Sequence, residues 1–206
     1  MPTRLESLNS GSRWLTDMED NRIAVLGSGA WGTTLADLMA RKGYSVVLWG
    51  RDPEQMERMR RTGENERLLP GVSLSSGLGL SSDLGGAVED ARYLILAVPC
   101  QYLRGVLERA EPHILKEARM VCASKGIELS SLKPMSAVVA ETLEARAPEY
   151  AMLSGPSFAE EVCKGQPTAV SLGCEHPAVG EELQHLLSTE RFRVYTNEDR
   201  IGVELG

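Results

Sequence analysis

Three glycines, at positions 27, 29 and 32, stand in the run N-R-I-A-V-L-G-S-G-A-W-G-T-T (residues 21–34), directly after the apolar residues Ile23 to Leu26. Gly27 permits a sharp turn out of a strand, Gly29 lets a bulky anion approach the backbone, and Gly32 lets a helix lie close on that strand. The N–H groups that open such a helix lack partners within it, so the chemistry on offer is the binding of a pyrophosphate. Downstream, Gly50 and Arg51 follow a second apolar run, Ser45 to Trp49. A dinucleotide-binding unit carries at that point a carboxylate for the ribose 2′-hydroxyl. A missing acid followed by an arginine suits a 2′-phosphate, which a carboxylate would repel and a guanidinium can hold with two parallel hydrogen bonds. NADP is therefore the expected cofactor, with NAD, favoured by Asp52, as the alternative.

Two further stretches offer chemistry. Lys125 and Gly126 end the apolar run Arg119 to Ser124. A lysine there can set an ammonium against a substrate hydroxyl, carbonyl or phosphate, the other reading being a surface lysine at a turn. Ser154, Gly155, Pro156 and Ser157 follow the run Tyr150 to Leu153 and form a turn that opens a helix. Free N–H groups and two hydroxyls gather there, which suits a phosphate or carboxylate ligand; as structure alone, the same residues cap the helix.

Elements in alternation must position these groups. Strands are expected at Ile23–Leu26, Ser45–Trp49, Ala91–Pro99, Arg119–Ser124, Tyr150–Leu153, Pro167–Leu172 and Phe192–Tyr195, with an edge strand near Leu78–Ser81. Helices are expected at Thr33–Arg41, from Asp52 to about Arg61, at Asp83–Glu89, at Gln101–Ala110 with Tyr102, Leu103, Val106 and Leu107 buried, at about Lys133–Ala145, and at Ala178–Leu187. The near-continuous apolar strands are those of a parallel sheet covered on both faces. The fold class is α/β, a Rossmann-type doubly wound, mostly parallel sheet with helices on both faces, and its ligands belong beyond the carboxyl ends of the strands. Arg58, Arg60, Arg61 and Arg67 form the most basic segment and read as a solvated face.

Composition bounds the rest. The 206 residues are 42% hydrophobic and 25% charged with net charge −7, and no Lys/Arg cluster could track a phosphodiester backbone, so nucleic acid is not an expected partner. Cys100, Cys122, Cys163 and Cys174 lack metal or redox spacing, so they read as reduced, packed thiols; Cys100 is read as packing, with His113 its one positional candidate for a partner, and no metal is expected. The cytoplasm is the expected compartment. No apolar run approaches membrane-spanning length, and residues 1–20 carry acids and read as a disordered extension. The domain assignment is thus 1–20 extension, 21–197 dinucleotide-binding domain, and 198–206 the start of a helix that reads as cut off at Gly206, so that the chain is expected to be a fragment. His176 and His185 read as cap and surface residues.

A set of motifs in order completes the reading: G-S-G-A-W-G-T at 27–33, L-W-G-R-D at 48–52, L-L-P-G at 68–71, A-V-P at 97–99, S-K-G-I-E at 124–128, S-G-P-S-F-A-E-E-V at 154–162, P-T-A-V at 167–170, F-R-V-Y-T-N at 192–197 and D-R-I-G-V-E-L-G at 199–206. The chain after residue 20 resembles the bacterial sn-glycerol-3-phosphate dehydrogenases. The resemblance implies reversible reduction of dihydroxyacetone phosphate by NADPH or NADH, at the entry to glycerophospholipid synthesis. It assigns cofactor contacts to Ser28, Trp31, Arg51, Lys125 and Ala159 beside the glycines 27, 29 and 32, and substrate contacts to Lys125, Gly155, Ser157 and Ala159. The family's proton donor is a lysine in a run that continues E-L-G with G-A-L-K-N. That lysine is therefore expected beyond Gly206, and no catalytic residue is expected within residues 1–206. The resemblance also implies a helical second domain as partner of this one. A phosphorylated triose is the expected small-molecule partner, and a homodimer the expected form of self-association. The contrasting reading is a stand-alone NADP-binding regulatory module without catalysis. A 6-phosphogluconate- or 2-hydroxyacid-type dehydrogenase is disfavoured by S-G-P-S-F-A and F-R-V-Y-T-N.

Overall fold

The computed structural model describes residues 21–206, so the expectation for residues 1–20 lies outside the described residues. Eight strands form one sheet: β1 (Ile23–Leu26), β2 (Val46–Trp49), β3 (Leu78–Ser81), β4 (Tyr93–Leu96), β5 (Arg119–Cys122), β8 (Tyr150–Ser154), β9 (Thr168–Cys174) and β10 (Phe192–Asn197). A two-stranded hairpin, β6 (Ile127–Glu128) with β7 (Lys133–Pro134), stands beyond β5 and was not expected. The order across the sheet is β10-β9-β8-β5-β4-β1-β2-β3. All neighbours are parallel except β8 and β9, which pair antiparallel with Ala151 opposite Cys174. This reversal turns β9 and β10 against the other six strands.

The helices are α1 (Ala30–Arg41), α2 (Pro53–Thr62), α3 (Leu84–Val88), α4 (Cys100–Ala110), α5 (Met135–Thr142), α6 (Ala159–Cys163), α7 (Pro177–Leu187) and α8 (Arg200–Leu205). Local chemistry sets several of their ends. Asp52 caps α2 by accepting from the N–H groups of Glu54 and Gln55, Pro53 occupies the first turn, and Gly63 closes the helix at φ 68°. Asp83 and Asp199 cap α3 and α8 in the same way.

β1 shows why a central parallel strand is apolar throughout. Ile23 and Val25 join the core on one face, with Leu35 and Met39 of α1 and Leu183 of α7. Ala24 and Leu26 join the core on the other, with Leu103 and Leu107 of α4 and Val203 of α8. The strand alternation of period two therefore divides one run of buried residues between two cores. Across the first core, Lys42 at the end of α1 donates to the carbonyls of His185, Leu186 and Ser188, closing the C-terminus of α7. On the other side, Arg104 of α4 forms a two-pronged ion pair with the buried Glu128 of the hairpin, 2.9 and 3.0 Å. That guanidinium holds the Glu128 carboxyl below the usual range. Cys122, buried in β5, has its thiol pushed up to about 11 by desolvation.

Candidate functional site

The glycine turn joins β1 to α1. Gly27 has φ 121°, and a Cβ there would meet the carbonyl oxygen of Ala97 at 2.5 Å. Gly29 is the residue before the helix, and no atom lies within 4 Å of where its Cβ would stand. A Cβ at Gly32 would lie 1.9 Å from the carbonyl oxygen of Gly27. Turn, open approach and close packing thus fall on the three positions in the expected order. Ser28 is tied down from both sides: its hydroxyl donates to Gln55 (3.3 Å), and its carbonyl accepts from Gln55 (3.2 Å) and Asn65 (3.2 Å). Asn65 also donates to Thr33 at 2.9 Å. It is buried, and it fixes the turn from a loop that sequence reading passed over. The one signal was an amide residue three positions before the apolar pair in E-N-E-R-L-L-P-G.

Beside the turn opens a cleft of about 600 Å³, bordered by Gly27–Gly29, Trp49 and Arg51 after β2, Ala97–Pro99 after β4, and α4. Arg51 is exposed, and its guanidinium lies 5.7 Å from the centre of the Tyr102 ring. Gly50, where an acid would stand for NAD, is buried, and a Cβ there would meet the Ser28 hydroxyl at 2.4 Å. Tyr102 corrects an expectation: it is 58% exposed rather than part of the buried stripe of α4, which consists of Leu103, Val106, Leu107 and Ala110. Its helical position points one step off the core, onto the cleft rim under Arg51. Arg67, read as part of a solvated face, also borders the cleft. Trp31 is not among the bordering residues; half-buried on α1, it packs on Phe192 with ring centres 6.2 Å apart.

A second cluster lies at the carboxyl ends of β5 and β8. Lys125 is exposed, and its ammonium donates to the carbonyl of Gly155 at 3.0 Å. The N–H of Ser157 donates to that same oxygen, also at 3.0 Å. Buried Ser124 joins this cluster to the cleft by donating to the carbonyls of Val98 (2.5 Å) and Leu96 (3.2 Å). Across the same junction, a Cβ at Gly126 would stand 3.0 Å from the sulfur of Cys100. The helix after the turn departs from expectation. It opens at Ala159 behind Phe158, with no side chain capping it, because the turn spends its residues before the helical bonds begin. Thr34 of α1 donates to Ala159 (3.4 Å) and contacts Cys163 (3.2 Å), so α6 is fastened to the glycine-turn helix. Burial pushes the Cys163 thiol up.

Other positions singled out in the sequence lie apart from both clusters. Gly206, beyond which the family's lysine is expected, is exposed and takes no part in the site. It caps α8 by donating its N–H to the carbonyl of Gly202 at 3.0 Å, and it does not border the cleft. Having no side chain, it brings no acid, base or charge of its own, so its place here is that of a helix end and not of a catalytic group. His113 stands against Gly85, at the far end of α4 from Cys100. His176 precedes α7 and His185 lies exposed on it. Among the described residues no group of three or more His, Cys, Asp or Glu could hold a metal ion, and no helix is long and apolar enough to cross a membrane.

Chemically, the residues fit a dinucleotide. An open Gly29 and the free N–H groups at the start of α1 suit a pyrophosphate, while the guanidiniums that border the cleft suit a further phosphate. Lys125 adds a cation at the adjoining strand ends.

Known proteins are similar to this chain in sequence and fold. Residues 22–180 match the family model described as the NAD-dependent glycerol-3-phosphate dehydrogenase N-terminus. The chain is 46% identical over 185 residues to a glycerol-3-phosphate dehydrogenase (NAD(P)+) of Solidesulfovibrio magneticus, covering 90% of this chain and 56% of that protein. It is 48% identical to the protein of that name from Carboxydothermus hydrogenoformans, covering 90% and 55%. The crystal structure of glycerol-3-phosphate dehydrogenase from Coxiella burnetii superimposes with a TM-score of 0.84 at 37% identity, over 90% of this chain and 56% of that one. The chain thus spans a little over half the length of these relatives.

Proposed function

The chain belongs to the NAD-dependent glycerol-3-phosphate dehydrogenase family, through that family's N-terminal domain, and on this premise we propose that it is the cofactor-binding half of such an enzyme. The whole protein reversibly reduces dihydroxyacetone phosphate to sn-glycerol 3-phosphate with NADPH or NADH, supplying glycerophospholipid synthesis from the cytoplasm. Gly27, Ser28, Gly29, Gly32, Trp31, Arg51, Lys125 and Ala159 serve the cofactor; Lys125, Gly155, Ser157 and Ala159 serve the substrate. The observation that carries this reading is that the glycine-turn cleft and the Lys125–Gly155 contact lie at the carboxyl ends of neighbouring strands, joined by the bond from Ser124 to the cleft residue Val98. When bound, NAD(P)H would supply the hydride for this reduction. Lys125 holds an ammonium where the triose phosphate or its developing oxyanion can replace the Gly155 carbonyl as its acceptor. Ser124 keeps the two strand ends in register, and the Gln55–Ser28–Asn65 bonds keep the pyrophosphate turn open. The proton donor to the alkoxide is the lysine of the G-A-L-K-N run that follows the position of Gly206, carried with the helical second domain in a protein of the relatives' length.

The preference for NADP rests on Arg51 and on the lack of room for an acid at Gly50. A titration of this chain with NADPH, followed by nicotinamide fluorescence, is expected to show saturable binding, with no oxidation when dihydroxyacetone phosphate is added. A polypeptide of the relatives' full length is expected to oxidise NADPH on the same addition. Absence of NADPH and NADH binding in both proteins would sink the proposal.

A further inference from the structure

The side of α4 that meets the cleft carries Tyr102, Gly105, Val106 and Arg109, spaced as one face of a helix. Two features of this face are not explained by packing. First, three guanidiniums, those of Arg51, Arg67 and Arg109, border the one space of about 600 Å³. Among the described residues none of the three enters an ion pair. The acid that shares the cleft, Asp52, has a carboxylate oxygen engaged by the N–H groups of Glu54 and Gln55 as a helix cap. Gathered like charges repel one another, and the arrangement becomes favourable when a multiply charged anion enters. Second, Gly105 sits in the interior of α4, where glycine weakens a helix, yet no atom lies within 4 Å of where its Cβ would stand. Neither backbone conformation nor crowding demands a glycine there; a side chain would project into open space on the cleft side.

Resting on the dinucleotide reading of the cleft, we infer that this face of α4 is the wall that selects adenosine bearing a 2′-phosphate. Arg109 supplies a second guanidinium for that phosphate beside Arg51. Tyr102 is a positioning residue that holds the Arg51 guanidinium over the cleft through its ring, at 5.7 Å. Gly105 leaves the floor flat, so that the nucleoside has room between them.

The test compares two nucleotides that differ by a single phosphate, adenosine 2′,5′-bisphosphate and adenosine 5′-monophosphate, titrated calorimetrically into this chain. The wild type is expected to bind the bisphosphate at least about tenfold more tightly, the factor for one charge-assisted contact. Arg109→Leu, an exposed site, is expected to lose about that tenfold for the bisphosphate and to leave the monophosphate unchanged. Tyr102→Ala is expected to shrink the same preference and Tyr102→Phe, which keeps the ring, to restore it. Gly105→Leu is expected to abolish binding of both nucleotides while the thermal midpoint without ligand stays level or rises, since leucine favours the helix. An unchanged bisphosphate preference in Arg109→Leu, or wild-type nucleotide binding in Gly105→Leu, overturns the inference. In either case NADPH binding by the wild type leaves the reading of the cleft standing, whereas a wild type that binds neither NADPH nor NADH overturns that reading and the inference with it.

Discussion

Single residues decide whether the cleft exists at all. Gly32→Ala would drive a Cβ to 1.9 Å from the carbonyl oxygen of Gly27, and that oxygen belongs to backbone that cannot swing aside as a side chain can. The expected outcome is a loss of about 1–3 kcal/mol in stability, read by denaturant titration, together with loss of NADPH binding as α1 is levered off β1. A variant that retains both would mean the turn has slack the packing does not reveal. Lys125→Ala, introduced into a protein of the relatives' full length, is expected to lower kcat/KM about 10²–10³-fold, the scale of one well-placed electrostatic catalyst. A near-normal rate would reduce Lys125 to a strand-end tie for Gly155. That the three glycines form the turn between β1 and α1, and that Arg51 and Lys125 stand just past strand ends, was legible in the sequence, because glycine spacing and apolar runs report those positions directly. Asn65, Gln55 and Ser124 were not legible, since their roles exist only in the contacts they make with residues 26 to 37 positions away, and amides and hydroxyls occur everywhere. Tyr102 failed for a subtler reason. An aromatic beside a leucine in an amphipathic helix reads as core, but position 102 falls one step off the buried stripe, on the side where Arg51 stands.

At the scale of elements, the helices are held as much by one another's side chains as by their own ends. Lys42 extends from the end of α1 to three carbonyls at the C-terminus of α7, where a cation also meets the negative end of the helix dipole. Lys42→Met keeps the apolar stem and removes the ammonium. It is expected to cost about 1–3 kcal/mol, measured by denaturant unfolding, with accelerated hydrogen exchange in the last turn of α7. Stability equal to wild type would show that water satisfies those carbonyls equally well. Helix and strand positions were largely legible, because Asp52 and Asp83 stand at recognisable helix starts and the strands are apolar runs. The hairpin β6–β7 was not: two-residue strands carry no periodicity, and this pair is fixed by Arg104 gripping Glu128 from a helix 24 positions earlier. The Ser154–Ser157 turn looked like a cap because serines commonly cap, while the actual helix waits until Ala159.

At the scale of the whole molecule, acid is the expected weakness. Arg104 holds the Glu128 carboxyl below the usual range, and Lys133 foremost, then Arg104, does the same for Glu141. Their folded pKa values lie below those of the unfolded chain, so the unfolded state takes up protons first. The stability they contribute is complete above about pH 4.3, the ordinary glutamate value, and is lost as the pH falls through the folded values. Thermal midpoints measured from pH 7 to pH 3 are expected to fall steeply in wild type and less steeply in Glu128→Gln; parallel curves would remove this network as the cause. The doubly wound class was legible from apolar strands alternating with amphipathic helices. The reversal of β9 and β10 was not, because a strand's residues report that it is covered on both faces and are silent about its direction. The sheet order has a consequence for the order of synthesis. β3, β2, β1 and β4, which lie together on one side of the sheet, all come from the first 96 residues, whereas β8, β9 and β10 lie together on the other side. As the chain leaves the ribosome, the strands that carry the pyrophosphate turn can therefore find all their mutual partners before the Lys125 side has been translated, and a nucleotide would meet its turn on a half-made protein.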